Sequence, residues 1–443
     1  MRFRKYILPM SIILLLTLAL IVLASACRAE EPKPLDFFEA AEQGNVARMK
    51  ELLAADPTLV NKVSANGWEV TALHLAASGG WTDAVKFLLA QGADHERRER
   101  SGRTPLVRAL AWRRWETARV LLDSGADANA PRTLSETVFW DNREMIQLLL
   151  ARGADVNARG RGGCLPIHDA LRDGNSALAQ LFLEKGSTLD VFSASGLGLT
   201  DRVEAYLKEN PARLNARLND WMPLHWAARN GQAATVKFLV EKGADVNAVW
   251  GYGFNALHCA AMADSGEAVA YLVGKGLNVK QTTGRGRQTP LHLAAESGSP
   301  AVIAALIDAG ADLSAADRRG LAPLHCAVRG NFVAQARGAS GNLEAVKALI
   351  EKGADVNIRS KQAEDFLEHD PRAGFTPLHV AVQVKRLDLV TFLVEHKADV
   401  NAEDGSGRAP LADAEGEGLA PIADFLKKHG GTVGHPRPIK HLP

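Results

Sequence analysis

The stretch Thr289-Pro290-Leu291-His292-Leu293-Ala294-Ala295 decides the fold, because near-copies of it recur along most of the chain. They stand at Leu73-His74-Leu75-Ala76-Ala77, Leu165-Pro166-Ile167-His168, Pro223-Leu224-His225-Trp226-Ala227-Ala228, Leu257-His258-Cys259-Ala260-Ala261, Pro323-Leu324-His325-Cys326-Ala327 and Thr376-Pro377-Leu378-His379-Val380-Ala381. A threonine ahead of the first turn accepts a bond from an orphan backbone N–H, and proline at the next position has the φ a helix start needs and no N–H to waste. The Leu and Ala residues that follow form a narrow apolar stripe, so a neighbouring helix can lie close. A second helix is predicted after each copy, as over Ala234–Val240, closing on Gly243-Ala244-Asp245-Val246-Asn247. Glycine there suits a left-handed C-cap, and Asp and Asn suit a turn into an extended hairpin.

The capping glycines fall at Gly92, Gly125, Gly153, Gly186, Gly243, Gly276, Gly310, Gly353 and Gly430, with Lys397 in the same place once. Gly92 to Gly125, Gly243 to Gly276 and Lys397 to Gly430 are each spaced by 33 residues. On these motifs the chain resembles the ankyrin-repeat family, whose repeat has that length. The resemblance runs from about Leu35 to Gly431 and implies an all-α solenoid of about twelve helix-turn-helix units with β-hairpin fingers. Departures occur. The unit starting at Gly102 has Val107 instead of His and Arg113 where a glycine normally separates the helices, and the unit from about Arg132 has lost the motif almost wholly.

The frame Asp36, Phe38, Ala40, Gly44, Leu53, Pro57, Asn61 returns 154 residues later as Asp190, Phe192, Ala194, Gly198, Leu207, Pro211, Asn215. This second start-type unit divides the repeats into a block over 35–187 and a block over 188–431, with a weaker interface expected between them. Between Arg329 and Gly341 about ten extra residues separate two helices, and Ser360 to Arg372 lengthens the next hairpin. Loops absorb such length cheaply, although a recognition element is the other reading. Residues 432–443 form a disordered tail in this reading.

The N-terminus reads as a targeting segment. Arg2, Arg4 and Lys5 precede an apolar run from Ile7 to Ala26, a charged n-region followed by an h-region. Leu23-Ala24-Ser25-Ala26-Cys27 resembles a bacterial lipoprotein box, which implies lipid attachment at Cys27; Ala24-Ser25-Ala26 also reads as an ordinary cleavage site, and the uncut run is long enough to span a bilayer. Residues 1–27 are therefore read as a signal and lipobox-like segment and 28–34 as a tether, with the chain exported to the periplasm or envelope and held at the membrane.

Over 443 residues, 52 Lys+Arg against 51 Asp+Glu leave a net charge of +1, so whole-molecule charge makes no case for nucleic acid. No hydrolase, zinc-protease or nucleotide-loop motif occurs. The Gly-rich strings at 159–163 and 284–287 lack a preceding strand and lysine and read as turns. The motif histidines belong to different layers, whereas zinc needs ligands about 2 Å from one ion, so they read as structural and no cofactor or metal is implied. Cys259 and Cys326 read as small buried hydrophobes too far apart to bridge, and Cys164, near a hairpin, as an accessible thiol.

Recognition is what remains. The ankyrin resemblance implies a protein partner bound on the concave surface of hairpin tips and first helices. Trp221, Trp250, Tyr252 and Phe254 crowd two adjacent hairpins, and aromatics often dominate interface energy; packing on their own hairpins is the competing role. Trp226, after the motif histidine, is expected in the core. A second candidate surface is basic: Arg97, Arg98, Arg100, Arg103, Arg159 and Arg161, interleaved with Glu96 and Glu99. The function expected is a non-catalytic scaffold of the bacterial envelope, the alternative being a sequestering inhibitor or protective accessory of an exported enzyme.

Overall fold

The computed structural model describes residues 36–435 except Asn66, 331–341, 363–372 and the side chain of Arg161. The signal segment, Cys27, the tether, residues 436–443 of the tail and most of both insertions lie outside the described residues. Among the described residues are twenty-four α-helices in twelve consecutive pairs, the first Phe37–Glu42 with Val46–Ala55 and the last Pro410–Gly416 with Ala420–Lys428. None of these helices is long and apolar enough to cross a membrane.

Each first helix begins as its sequence dictates. In the unit of the quoted stretch, Pro290–Ser297 starts with proline in the first turn and ends on Gly298 at φ 85°. Its buried side are Leu291, His292, Leu293, Ala294 and Ala295; small residues there let neighbouring inner helices pack closely. The second helices are amphipathic and bury one stripe, as Val302, Ile303 and Leu306 do in Pro300–Asp308.

Past the second helix, the predicted left-handed residue is present in every described unit with a capping glycine, for example Gly92 at 84° and Gly430 at 81°. Lys397 adopts the same conformation at φ 70° without being glycine. An Asn, four positions past the turn residue at Asn157, Asn357 and Asn401, ties layers together. Asn401 donates from Nδ2 to the Gly430 carbonyl, 3.0 Å, and accepts from the Thr432 amide, 2.7 Å. Asn61, Asn157 and Asn357 make the same two bonds to the next unit.

The fingers differ from expectation. No strand forms among the described residues; the hairpins reduce to turns with isolated bridges at Leu218–Trp221, Trp250–Phe254 and Arg408–Gly434. Each finger is too short to keep a ladder going, so one or two backbone bonds close it.

The helices cluster into two compact units, one ending at Thr133 and one starting at Leu134. The first holds the helix pairs from Phe37 to Asp123, and the second carries one continuous apolar core from Val191 to Leu426. The sequence boundary at 187/188 lies inside the second unit. There Asn230 Nδ2 donates to the Leu171 carbonyl, 3.0 Å, and Arg229 to the Asp173 carbonyl, 2.9 Å. Side chains from the end of Pro223–Arg229 and from Asn230, its C-cap, thus reach past the start-type helix Val191–Gly196 to the layer before it.

Candidate functional site

The motif histidines show how the layers are locked. His292 sits at the third position of its helix, Nδ1 accepting from the Thr289 amide, 3.1 Å, and Nε2 meeting the Leu321 carbonyl of the next finger, 3.0 Å. Because Nδ1 accepts, Nε2 carries the proton and donates. His74, His225, His258, His325 and His379 repeat this, toward the carbonyls of Arg103, Ala248, Gln281, Phe375 and Arg408. Burial pushes the imidazoles of His74, His225, His258 and His325 down to about 4. No group of three metal-ligating side chains occurs among the described residues.

His168 differs because the unit after it starts without a finger. Its Nε2 faces the Asp190 carboxylate, 3.0 Å, not a backbone carbonyl. Burial alone would lower this imidazole, but the bond and charge of Asp190, with Cys164, outweigh it and raise it to about 9. The Leu165 amide, 3.2 Å from Nδ1, opposes the added proton, so the upward direction rests on Asp190. Cys164 is buried rather than accessible: it lies under the finger tip and its Sγ accepts from Asn219 Nδ2, 2.9 Å. Cys259 and Cys326 are buried and unbridged, as expected.

From His168 an aromatic column runs through the second unit. Ring centroids step from His168 to Trp226, 5.7 Å, to Trp221, 5.0 Å, to Trp250, 4.4 Å, and to Phe254, 4.8 Å and stacked. This corrects the sequence-based site. Trp221 is only 4% exposed, and Trp250 and Phe254 are partly buried against the core. Three of the four aromatics are consumed by the column, and Trp226 is core as expected. Tyr252 alone is presented, 58% exposed, beside Val249 at 49%. Its hydroxyl accepts from Arg285, 3.2 Å, whose guanidinium lies 5.4 Å from the ring centre. Its carbonyl takes the Gly284 amide of the next finger, 2.6 Å.

The arginine candidates fall in separate units. Arg97, Arg98 and Arg100 are exposed in the first, and Arg103 is partly buried. Among them lies Glu99, 5% exposed, with Oε2 2.9 Å from Arg108 Nε, so the cluster is partly neutralised from inside. Arg159, in the second unit, donates to its own finger's Gly163 carbonyl, 2.6 Å. Sequence reasoning missed Trp68, Trp81 and Trp112 of the first unit, all at least 44% exposed. A signal was available for two: Trp81 and Trp112 stand in the turn between paired helices, as does Trp140 in the pair that follows in sequence.

The family model for ankyrin repeats (3 copies) matches residues 37–132, 191–283, 277–360 and 332–435. The chain belongs to the ankyrin-repeat family. Between the matches, residues 133–190 hold two further helix pairs of the same kind, including the unit that has lost its motif. The chain is 35% identical over 154 residues to the B-cell lymphoma 3 protein homolog of Mus musculus, covering 34% of this chain and 30% of that protein. It is 25% identical over 383 residues to the human transient receptor potential cation channel subfamily A member 1, covering 84% of this chain and 31% of the relative. A solved ankyrin repeat domain of Bcl-3 is 30% identical, covering 48% of this chain and 88% of that one, with a TM-score of 0.39. The chain thus spans about a third of the length of each of these two relatives. Ankyrin-repeat proteins act as protein–protein interaction scaffolds.

Proposed function

We propose that this ankyrin-repeat chain is a non-catalytic scaffold of the bacterial cell envelope, carried there by its N-terminal segment, that binds a protein partner on the fingers of its second unit. The observation that carries the reading is Tyr252: a highly exposed aromatic on a finger whose Trp250 packs between Trp221 and Phe254, and held from the side by Arg285. A ring held in place before binding loses little entropy when a partner covers it, and buried Tyr side chains are among those that most often dominate interface energy. The envelope placement rests on the charged and apolar run before Cys27.

Affinity capture from envelope extracts tests this with full-length protein and Tyr252→Ala, after both are shown to melt alike. The expected result is a partner retained by wild type and lost by the variant. A partner held equally by both would remove Tyr252 from the site. Metabolic labelling with a fatty acid, lost in Cys27→Ser, is expected if the segment is a lipoprotein signal; labelling that persists would reject lipid attachment at that residue.

A further inference from the structure

We infer that the finger tips following Tyr252 form a rail for an extended acidic segment of a protein partner. The inference rests on the reading above that these fingers bind protein, and it adds the partner's chemistry.

Consecutive tips are joined by one backbone bond per layer. Gly284 N–H meets the Tyr252 carbonyl, 2.6 Å; Arg318 N–H the Gly286 carbonyl, 2.9 Å; and Lys361 N–H the Gly320 carbonyl, 2.8 Å. The tips are therefore a connected edge and not independent loops. At the last of these contacts glycine is required: a Cβ at Gly320 would lie 1.9 Å from the Lys361 carbonyl oxygen.

Charge is sorted along that edge. The chain as a whole carries only +1, yet the turns at 283–288 and 317–321 carry Arg285, Arg287, Arg318 and Arg319 against the single carboxylate Asp317; the third finger adds Lys361, and its carboxylates Glu364, Asp365, Glu368 and Asp370 lie outside the described residues. That carboxylate is 6% exposed and is spent on the amides of Arg319, 2.8 Å, and Leu321, 2.9 Å. Glu296, beneath the second tip, is already paired with Arg329, 2.5 Å. Arg285, Arg287 and Arg319 are exposed, as is Lys361, and Arg318 is half-buried.

Two of the guanidinium groups, one on each tip, are also oriented. Arg285 is held by the Tyr252 hydroxyl, 3.2 Å, and Arg318 by the Arg285 carbonyl, 3.4 Å. A guanidinium has five donors in a fixed fork that suits a carboxylate bidentately. A row of oriented forks favours carboxylates at set spacing, whereas a lipid surface needs only loose positive charge. Layers of packed helices repeat every ~10 Å, and a chain in the extended polyproline II form rises about 3.1 Å per residue with three residues per turn, so that side chains three apart share a face. Acidic side chains three residues apart therefore match successive tips, with an apolar residue reaching Tyr252 and Val249.

The test uses a fluorescein-labelled 15-residue peptide with Glu at every third position and a terminal Leu-Phe pair, measured by anisotropy against the full chain. Comparison ligands are the same peptide with Lys for Glu, anionic phosphatidylglycerol vesicles and a single-stranded oligonucleotide. Binding of the Glu peptide alone is expected, weakening with salt and at least about tenfold in Arg285→Glu/Arg319→Glu. Arg97→Glu/Arg98→Glu, in the first unit, should bind as wild type, and all proteins should melt alike. Equal binding by the ridge variant, or preference for vesicles or oligonucleotide, overturns the acidic-peptide assignment. A captured partner lost in Tyr252→Ala while the Glu peptide fails to bind would refute this chemistry and leave the scaffold reading standing.

Discussion

Acidification from pH 8 to pH 5 should destabilise this protein through its buried motif histidines. For His74, His225, His258 and His325 the folded imidazole titrates at about 4, burial being the main cause, against an ordinary 6.5. The neutral form is the one the fold uses, with Nδ1 accepting an amide and Nε2 donating to a carbonyl. The unfolded chain therefore binds the extra proton between pH 6.5 and 4, and stability falls as pH falls through that window. At one pKa unit per 1.36 kcal/mol, each histidine contributes about 2 kcal/mol of loss at pH 5, or on the order of 8 kcal/mol for the four. That is comparable to the whole stability of an ordinary domain. His168 has the opposite sign: its imidazole is raised to about 9, so its contribution is complete below pH 6.5 and is lost as pH rises through 9. Urea unfolding followed by far-UV circular dichroism at pH 8, 7, 6 and 5 reads the effect, and ring-proton NMR assigns it. Ordinary carboxylates act mainly below about pH 4, and Asp169 and Asp413, raised by burial, add stability as pH falls, so a loss between 6.5 and 5 belongs to histidine. An unchanged urea midpoint from pH 8 to 5, or histidines titrating near 6.5 in the folded chain, would refute the reasoning.

Other outcomes follow from single positions. Asp190→Asn removes the charge that outweighs burial at His168, and the His168 titration should move from about 9 down toward that of the other motif histidines, read by NMR. Lys397→Gly relieves a side chain held at φ 70° and should raise stability by about 1 kcal/mol, while Gly243→Ala should cost about 1–2 kcal/mol by the same backbone argument. Nothing lies within 4 Å of a Cβ at Gly243, so a larger loss measured by urea unfolding would mean another cause. Trp221→Ala should cost about 3–5 kcal/mol, as removal of a buried aromatic does, whereas Tyr252→Ala should leave the melting temperature nearly unchanged. The thiols of Cys164, Cys259 and Cys326, all buried, should react with a thiol reagent only after unfolding.

The helix starts, the left-handed glycines and the histidine's capping role were legible because they are local. Thr289-Pro290 and Gly243 announce their conformations through neighbours in the chain, and the departure at Arg113 was visible as a missing glycine; the structure holds it at φ 60°. Even the unit near Arg132, unmatched by the motif, was legible through the apolar stripe of its second helix, Met145–Leu150. The aromatic site was only half legible. Trp221, Trp250, Tyr252 and Phe254 share a stretch of fingers in sequence, but whether a ring stacks inward or faces water depends on rings one layer away.

The sequence by itself determined the family, the length of the unit and the positions of its caps, since a repeat buries its stripe against a copy of itself and the same residues must recur. Only the tertiary structure decided which side chains the copies leave exposed. His168 has the same motif as His292, yet meets a carboxylate because the next layer begins without a finger. Arg285 and Arg319 are ordinary turn residues in the chain, yet share one edge because backbone bonds join tips 32 to 41 residues apart, as from Tyr252 to Gly284 and Gly320 to Lys361. Such neighbours are set by stacking geometry, which no local pattern encodes.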